Sequence, residues 1–169
     1  FNVLNTIGRL AYLEKAEQTE EIVYSFSDML RYILKRDNTE DVKLRDELTD
    51  VQNYLKLHKV RFGDRLKYEI DVSEEILDLT CPFMIVQPIV ENAIKYVVET
   101  REKGGQINIK AVVSDEVVLI KIRDNGDGIP EDVLRSILSE KGLRKEDSTC
   151  IGLSNVNSRL KYTYGSQFG

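Results

Sequence analysis

The chain has 169 residues, 41% of them hydrophobic, which suffices for one domain or for one domain with a helical appendage. Its 24 basic and 29 acidic residues leave a net charge of −5, which argues against nucleic-acid binding, because such proteins usually present a basic face. The sequence contains no apolar run of the roughly 18 residues that a membrane helix needs, and the spacing of Cys81 and Cys150 fits neither a metal site nor a disulfide, as in a reducing cytosol.

Residues 1–62 are predicted to be helical. An apolar stripe begins at Val3, and a polar break at 14–21 separates it from a second stripe with spacings of four, three and four, formed by Ile22, Phe26, Met29 and Ile33. A charged loop at 36–42 is expected before a third helix, which Gly63 can end. The first two helices should form a hairpin with an uncovered apolar face, as in a dimerisation element. The alternative is a helical subdomain that packs only on its own chain.

From residue 64 the period changes to that of a mixed domain. Strands are predicted at 66–72, 106–113 and 117–123, and helices at 82–98, 130–138 and 153–164, with a mobile loop at 139–149. Pro88 should kink the first of these helices, which is apolar on most sides and therefore buried. Antiparallel strands with helices on one face give an α+β sandwich, in which one more strand is expected after the last helix.

An acidic loop with two glycines, Asp124 to Pro130, follows the last predicted strand. Gly126 and Gly128 lack a Cβ and can take positive φ, so a flat or phosphorylated ligand can approach the backbone there. Asp124 stands where the strand ends, and its oxygens can accept a hydrogen bond from an exocyclic amine. The alternative is an ordinary tight turn between a strand and a helix.

Polar residues interrupt the buried helix at Glu91, Asn92 and Lys95. Asn92 and Lys95 are three residues apart and should share a face, where an amide oxygen can enter a magnesium shell and an ammonium group can meet phosphate charge. The alternative is a helix edge whose polar groups only reach water. Gly152 lies just before the last helix, and backbone N–H groups at a helix N-terminus bind anions.

Taken together, these stretches resemble a known family. Three stretches resemble the N, G1 and G2 boxes of sensor histidine kinases: in that order, Glu91-Asn92-Ala93-Ile94-Lys95, the loop 124–130 and Ile151-Gly152-Leu153-Ser154-Asn155-Val156. The ATPase superfamily of these kinases (GHKL or Bergerat type) also includes gyrase and MutL. The helical part is similar to that of LytS-type sensor kinases at three places: Phe1-Asn2-Val3-Leu4-Asn5, Leu30-Arg31-Tyr32, and Tyr54-Leu55 with Arg61-Phe62-Gly63-Asp64-Arg65. The resemblance covers nearly the whole chain.

The resemblance implies two domains: a truncated dimerisation and phosphotransfer region at 1–62, and an ATP-binding domain at 63–169 that lacks its last strand. Asp124 would bind the adenine amino group, Gly126 and Gly128 would lie against base and ribose, Asn92 would hold Mg²⁺ and Lys95 would meet phosphate. Gly152 and Leu153 would close a lid at 131–151, Glu91 would orient an incoming histidine, and Tyr96, Ile129 and Asn155 would complete the nucleotide-binding set.

The implied reaction passes the γ-phosphoryl group of ATP to a histidine and then to a response-regulator receiver domain. The implied protein is a homodimer whose catalytic part lies in the cytoplasm of a bacterium and joins a membrane-anchored sensor through segments outside this sequence.

Three positions depart from the family pattern. The phosphoacceptor histidine would lie three residues before Phe1, and the only histidine, His58, falls on an apolar helical stripe, so autophosphorylation of this chain is not expected. Cys150 replaces a customary glycine, and Pro88 stands where water-splitting relatives have a glutamate, so ATP hydrolysis should be slow. The alternatives are a regulatory module with a degraded nucleotide site and a serine kinase of the anti-sigma type.

Overall fold

The computed structural model describes residues 2–34, 41–114, 117–138 and 151–165. In chain order its elements are α1 (Asn2–Leu13), α2 (Glu17–Leu34), β1 (Asp41–Lys43), α3 (Leu44–Phe62), β2 (Leu66–Val72), β3 (Thr80–Pro82), α4 (Gln87–Ala93), a π-helical segment (Ile94–Glu99), β4 (Gly105–Ser114), β5 (Val117–Asp124), α5 (Glu131–Leu138) and α6 (Ile151–Tyr164). The predicted α+β class, with helices first and a mixed domain after them, is confirmed.

The first two helices pack on each other, and α2 packs on α3. The predicted break is shorter than expected, because α2 already begins at Glu17. The second apolar stripe is also divided: Met29 is buried, whereas Phe26 and Ile33 remain 43% and 40% exposed. The hairpin therefore has one face that packs within the chain and another that leaves large apolar side chains uncovered.

The prediction of a loop at 36–42 is wrong for its last two residues, which belong to a strand. Residues 41–43 form β1, which pairs antiparallel with β3 in a separate two-stranded sheet. Val42 faces inward and is buried opposite Cys81, and this burial offsets the cost of ordering a short charged segment. Residues 36–40 of that prediction lie outside the described part of the chain.

The main sheet has the strand order β2-β4-β5. The hairpin β4–β5 is antiparallel as predicted, with Ile109 opposite Ile122. The pair β2–β4 is parallel, which corrects the expectation of an all-antiparallel sheet. Because α4 and the π-helical segment lie between these two strands, the chain crosses over the sheet and returns in the same direction.

One apolar core lies between this sheet and the helices. Its centre is formed by Leu55 of α3, Val90 of α4, and Ile107 and Ile109 of β4, none of which is exposed to solvent. Residues 106, 108 and 110 alternate with the buried positions of β4 and face away from the core, so the described residues cover only one face of the sheet. The helix α4 is thus held between α3 and the sheet.

The buried helix predicted at 82–98 is shorter and begins later. Pro82 belongs to β3 and α4 begins at Gln87, so Pro88 stands in its first turn. The predicted kink at Pro88 is therefore wrong, since a proline there removes only an N–H that has no partner within the helix. After Ala93 the helix continues with π geometry, in which each backbone hydrogen bond spans one residue more than in an α-helix.

Candidate functional site

The position of α4 is fixed from α3 by the buried carboxylate of Glu47. Its two oxygens accept hydrogen bonds from the backbone N–H groups of Met84, Ile85 and Val86 at 2.5, 3.0 and 3.2 Å, and from the Tyr32 hydroxyl at 2.9 Å. Met84 has φ +56°, a left-handed conformation that turns these successive N–H groups toward one point. Glu47 thus caps the start of α4 from another helix, as an acid at the positive end of the helix dipole.

Asn92 and the start of α6 lie together in the next turn of α4. The Asn92 side chain donates from Nδ2 to the carbonyl oxygen of Pro88 at 2.9 Å, which leaves Oδ1 as the amide atom for an external ligand. A Cβ added to Gly152 would lie 3.3 Å from Pro88 Cβ and 3.9 Å from Asn92 Nδ2. A side chain here would crowd α4, so glycine lets the first turn of α6 approach Asn92.

The glycine loop after β5 lies against the other end of the same helical segment. Asp124 Oδ1 accepts from the backbone N–H of Gly126 at 2.8 Å, so the carboxylate is held at the mouth of the strand. A Cβ on Gly126 would lie 2.6 Å from Val97 Cγ2, which makes glycine necessary for this close approach. Its φ is not positive; among the loop's glycines only Gly128 is left-handed, at φ +84°. The predicted conformational role thus holds for Gly128 and not for Gly126.

One helical wall therefore carries both ends of the site. A Cβ added to Gly152 would meet Pro88 and Asn92, and a Cβ added to Gly126 would meet Val97, so both glycines lie close to this segment. Asn92 and Val97 are five positions apart, which is about 7.5 Å along an α-helix axis and somewhat less here, because the segment from Ile94 has π geometry. This separation suits a ligand with a flat group at one end and an anionic group at the other.

Sequence reasoning missed the residues that support the glycine loop from behind. Arg101 donates to the carbonyl oxygen of Asn125, whose side-chain oxygen accepts from the backbone N–H of Gln106 at 2.8 Å. Arg65 donates to the carbonyl oxygens of Val98 and Arg101 at 2.9 and 2.8 Å. Two arginines thus fix the segment that faces the loop. Long polar side chains on loops carry no periodicity signal, which is why the sequence pattern did not reveal them.

The remaining predicted residues are solvent-accessible to different degrees. Glu91 is exposed and its Oε1 accepts from Gln87 Nε2 at 2.9 Å. Lys95 is exposed, with Nζ 5.0 Å from the centre of the Tyr96 ring. Because π geometry begins between Asn92 and Lys95, the 100° step of an α-helix no longer relates their directions.

On the opposite side of the site, Ile129 is 45% exposed. Leu153 and Gly152 are half-buried and Asn155 is exposed on α6, whose Val156 is buried in the core. Cys150 and most of the predicted lid, residues 139–150, lie outside the described part of the chain. The short helix α5 lies at the start of the segment predicted to be a lid.

His58 is a boundary residue of α3, as predicted. Its ring lies 4.4 Å from that of Tyr54 and stacks 5.8 Å from that of Phe62. Burial, with a smaller effect of Arg61, lowers the pKa of His58 below its usual 6.5. A neutral, stacked imidazole is a packing group here.

Two family models match the chain. One, described as histidine kinase, matches residues 1–66, and the other, described as histidine kinase-, DNA gyrase B-, and HSP90-like ATPase, matches residues 78–168. The predicted resemblance is thereby confirmed for both parts of the chain. In the part that the structure describes, no helix is long and apolar enough to cross a membrane.

Curated relatives are similar over nearly all of the chain. The sensor histidine kinase/phosphatase LytS of Staphylococcus aureus is 32% identical over 166 residues, which are 98% of this chain and 28% of that protein. The uncharacterized protein YwpD of Bacillus subtilis is 36% identical over 169 residues, which are 99% of this chain and 58% of that protein. The chain therefore corresponds to only part of these relatives.

Solved structures share the fold. The catalytic domain of the histidine kinase ThkA aligns with a TM-score of 0.53 at 17% identity, over 75% of this chain and 82% of that one. The Acinetobacter baumannii histidine kinase AdeS aligns with a TM-score of 0.50 at 20% identity, over 88% of this chain and 71% of that one. At such identities the agreement concerns the fold alone.

Proposed function

We propose a function for this chain, which belongs to the family of histidine kinase-, DNA gyrase B- and HSP90-like ATPases. Its site holds Mg–ATP and delivers the γ-phosphoryl group to a histidine. The observation that carries the proposal is the close approach of both Gly126 and Gly152 to the helical segment that bears Asn92, where neither has room for a Cβ without crowding. A nucleotide spans such a distance from its base to its phosphates. The proposed domains are 1–62 for dimerisation and 63–169 for ATP binding.

At the base end, Asp124 is proposed to recognise adenine. Its Oδ1 is engaged by Gly126 N–H, so the carboxylate is preoriented and Oδ2 can accept from the exocyclic amino group. Gly126, Gly128 and Ile129 would lie beside the base and ribose, and Tyr96 would border them. The arginine contacts of Asn125 and of residues 98–101 keep this loop in place before the ligand arrives.

At the phosphate end, Asn92 is proposed as the protein ligand of Mg²⁺. The fit rests on its amide: Nδ2 is held by the Pro88 carbonyl, so oxygen, the donor type that Mg²⁺ prefers, is the remaining atom. The bound ion would neutralise phosphate charge. Lys95 would turn from Tyr96 to phosphate, and Gly152, Leu153 and Asn155 would present the N-terminus of α6 to the same anion.

Glu91 is proposed as the catalytic residue. Glu91 directly precedes Asn92, and its carboxylate is oriented by the hydrogen bond from Gln87. It can therefore accept the proton of an incoming imidazole N–H. Replacement by glutamine in a protein that includes the acceptor histidine should lower the rate of phosphoryl transfer without weakening ATP binding. An unchanged rate would remove Glu91 from the mechanism.

The partners are also proposals. Exposed apolar residues on α1 and α2, such as Leu10, Leu13 and Phe26, fit a second copy of the chain. A response-regulator receiver domain would take the phosphoryl group from the histidine. We further propose that this part of the protein lies in the cytoplasm of a bacterium and that the whole protein is membrane-anchored.

Calorimetric titration with a non-hydrolysable ATP analogue, with and without Mg²⁺, tests the central proposal. Asp124→Asn should weaken binding by about 1.5–3 kcal/mol, the worth of a charged hydrogen bond, or roughly 10- to 150-fold. Asp127→Asn removes the same charge from an exposed position of the same loop and should change little. If both variants bind like the parent chain, the adenine site is wrong. If the parent chain does not bind at all, a regulatory module without kinase activity becomes the better description.

A further inference from the structure

A second carboxyl group, that of Asp50, is buried on α3, and the nucleotide site described above does not use it. Asp50 is 3% exposed, and among the described residues neither of its oxygens has a hydrogen-bond donor. It follows Glu47 by about one helical turn and therefore lies on a similar side of α3, and it interacts electrostatically with Glu91 of α4. A buried carboxylate without a donor is very unfavourable, whereas the neutral acid is tolerated and is itself a donor.

The charged groups around Asp50 reinforce this conclusion. Burial raises the pKa of its carboxyl from 3.8 to about 7, with Glu47 of its own helix and Glu91 of α4 as further causes in the same direction. Glu47 itself is fully engaged by three backbone N–H groups and by Tyr32 of α2. The described residues contain no group of three His, Cys, Asp or Glu side chains that could hold a metal ion. A proton is therefore the simplest occupant of this contact.

Gln87 offers a matching acceptor on α4. Its side chain is 4% exposed, and Nε2 donates to Glu91 Oε1 at 2.9 Å. Its own Oε1 is buried without a donor in the described part of the chain. Within the described residues, α3 and α4 thus each carry a buried side chain with oxygen atoms that have no partner: the Asp50 carboxyl, which can carry a proton, and the Gln87 amide oxygen, which can accept a hydrogen bond.

We propose that Asp50 is a proton-dependent positioning residue for Glu91 and that it acts through Gln87. As the neutral acid, Asp50 donates to Gln87 Oε1, which holds the Gln87 amide with Nε2 toward Glu91. When Asp50 loses its proton, the donor disappears and a third carboxylate joins Glu47 and Glu91, so Gln87 is released and Glu91 is no longer oriented. The inference rests on the proposed function because it concerns the role of Glu91 in that site.

The first test measures the proton itself and needs no activity. In ¹³C NMR of the chain, the Asp50 carboxyl carbon should titrate near neutral pH, assigned by its loss in Asp50→Asn. The Gln87 side-chain amide signals should shift with the same midpoint, which a carboxyl that only fills space would not cause. A midpoint near the ordinary value of about 4, or Gln87 signals that do not move, would overturn the proposal.

The second test compares pH profiles. Asn at position 50 keeps a neutral donor at every pH, so Asp50→Asn should abolish a fall in phosphoryl transfer of about tenfold between about pH 6 and 8 in the protein that carries the acceptor histidine. Asp50→Ala removes the donor and should transfer slowly at every pH, while ATP-analogue binding stays near that of the parent chain. Parallel profiles for the parent and Asp50→Asn would refute the positioning role. Loss of nucleotide binding in the parent would instead refute the proposed function, while the NMR titration would still decide the Asp50–Gln87 contact.

Discussion

Replacing Glu47 by glutamine is the sharpest perturbation of the framework that positions the site. Glutamine keeps the size of the side chain and one oxygen, but it turns the other oxygen into a donor. Two of the four groups that now donate to Glu47 would then face an NH₂ group: either Tyr32 and Met84, or Ile85 and Val86. The residue is 1% exposed, so water cannot replace the lost acceptor without rearrangement.

The expected cost follows from counting these donors. Each buried donor left unsatisfied costs about 1–3 kcal/mol, so two of them give about 2–6 kcal/mol. Loss of the charge at the N-terminus of α4 adds about 0.3–1 kcal/mol. Relief of repulsion toward Asp50 works in the opposite direction only where Asp50 is ionised, and we expect a net loss of about 3 kcal/mol. A domain of this size is stable by only about 5–15 kcal/mol, and the change is therefore large.

Urea unfolding followed by circular dichroism measures this loss directly. Tyr32→Phe removes only the hydroxyl donor and should cost about 1 kcal/mol, and Glu75→Gln, at an exposed position, should be neutral. Nucleotide affinity of the folded Glu47→Gln variant should also fall, because α4 carries Asn92. A loss of stability below about 0.5 kcal/mol would show that Glu47 does not cap α4 as described.

Four further outcomes are expected. Gly104→Ala should fail to give stable protein by thermal melting, because its Cβ would lie 1.9 Å from the Arg65 carbonyl oxygen at φ +70°. Arg101→Ala should weaken ATP-analogue binding in calorimetry by about tenfold, since the glycine loop loses one charged hydrogen bond. The chain should lose stability as pH falls below 6.5, because the unfolded chain then binds a proton that the half-buried His58, with its lowered pKa, takes up less readily. His58→Phe should remove this loss, which urea midpoints measured at about pH 7.5 and 5.5 would show. Incubation of the chain with labelled ATP should yield no phosphohistidine, since the His58 ring packs against the rings of Tyr54 and Phe62.

Local patterns predicted the parts of the structure that depend on near neighbours in sequence. The third helix, the hairpin β4–β5 and the glycine loop after it all follow from periodicity and from turn residues, and the structure confirms them. Their residue types are needed for local reasons, such as the left-handed φ of Gly128. Those signals sufficed to place Asp124 at the mouth of a strand.

Features that depend on distant contacts were not predictable in this way. The parallel pairing of β2 with β4 depends on the path of the chain over the sheet, and a strand pattern does not reveal its direction. Glu47 caps residues 37 to 39 positions away, and an acidic residue in a helix is expected on the surface. The incorrect prediction of a kink at Pro88 has the same origin. The helix begins at Gln87, later than predicted, because contacts of Glu47 and the turn at Met84 define its start.

Hydrogen–deuterium exchange with and without the Mg–ATP analogue tests the central claim most directly, because it reports where a ligand acts on the backbone. We expect slower exchange in three separate stretches, namely 88–96, 124–130 and 152–156, and no such effect in Asp124→Asn. Protection that is absent from all three, or that appears in only one of them, would contradict the assembly of a single nucleotide site along α4.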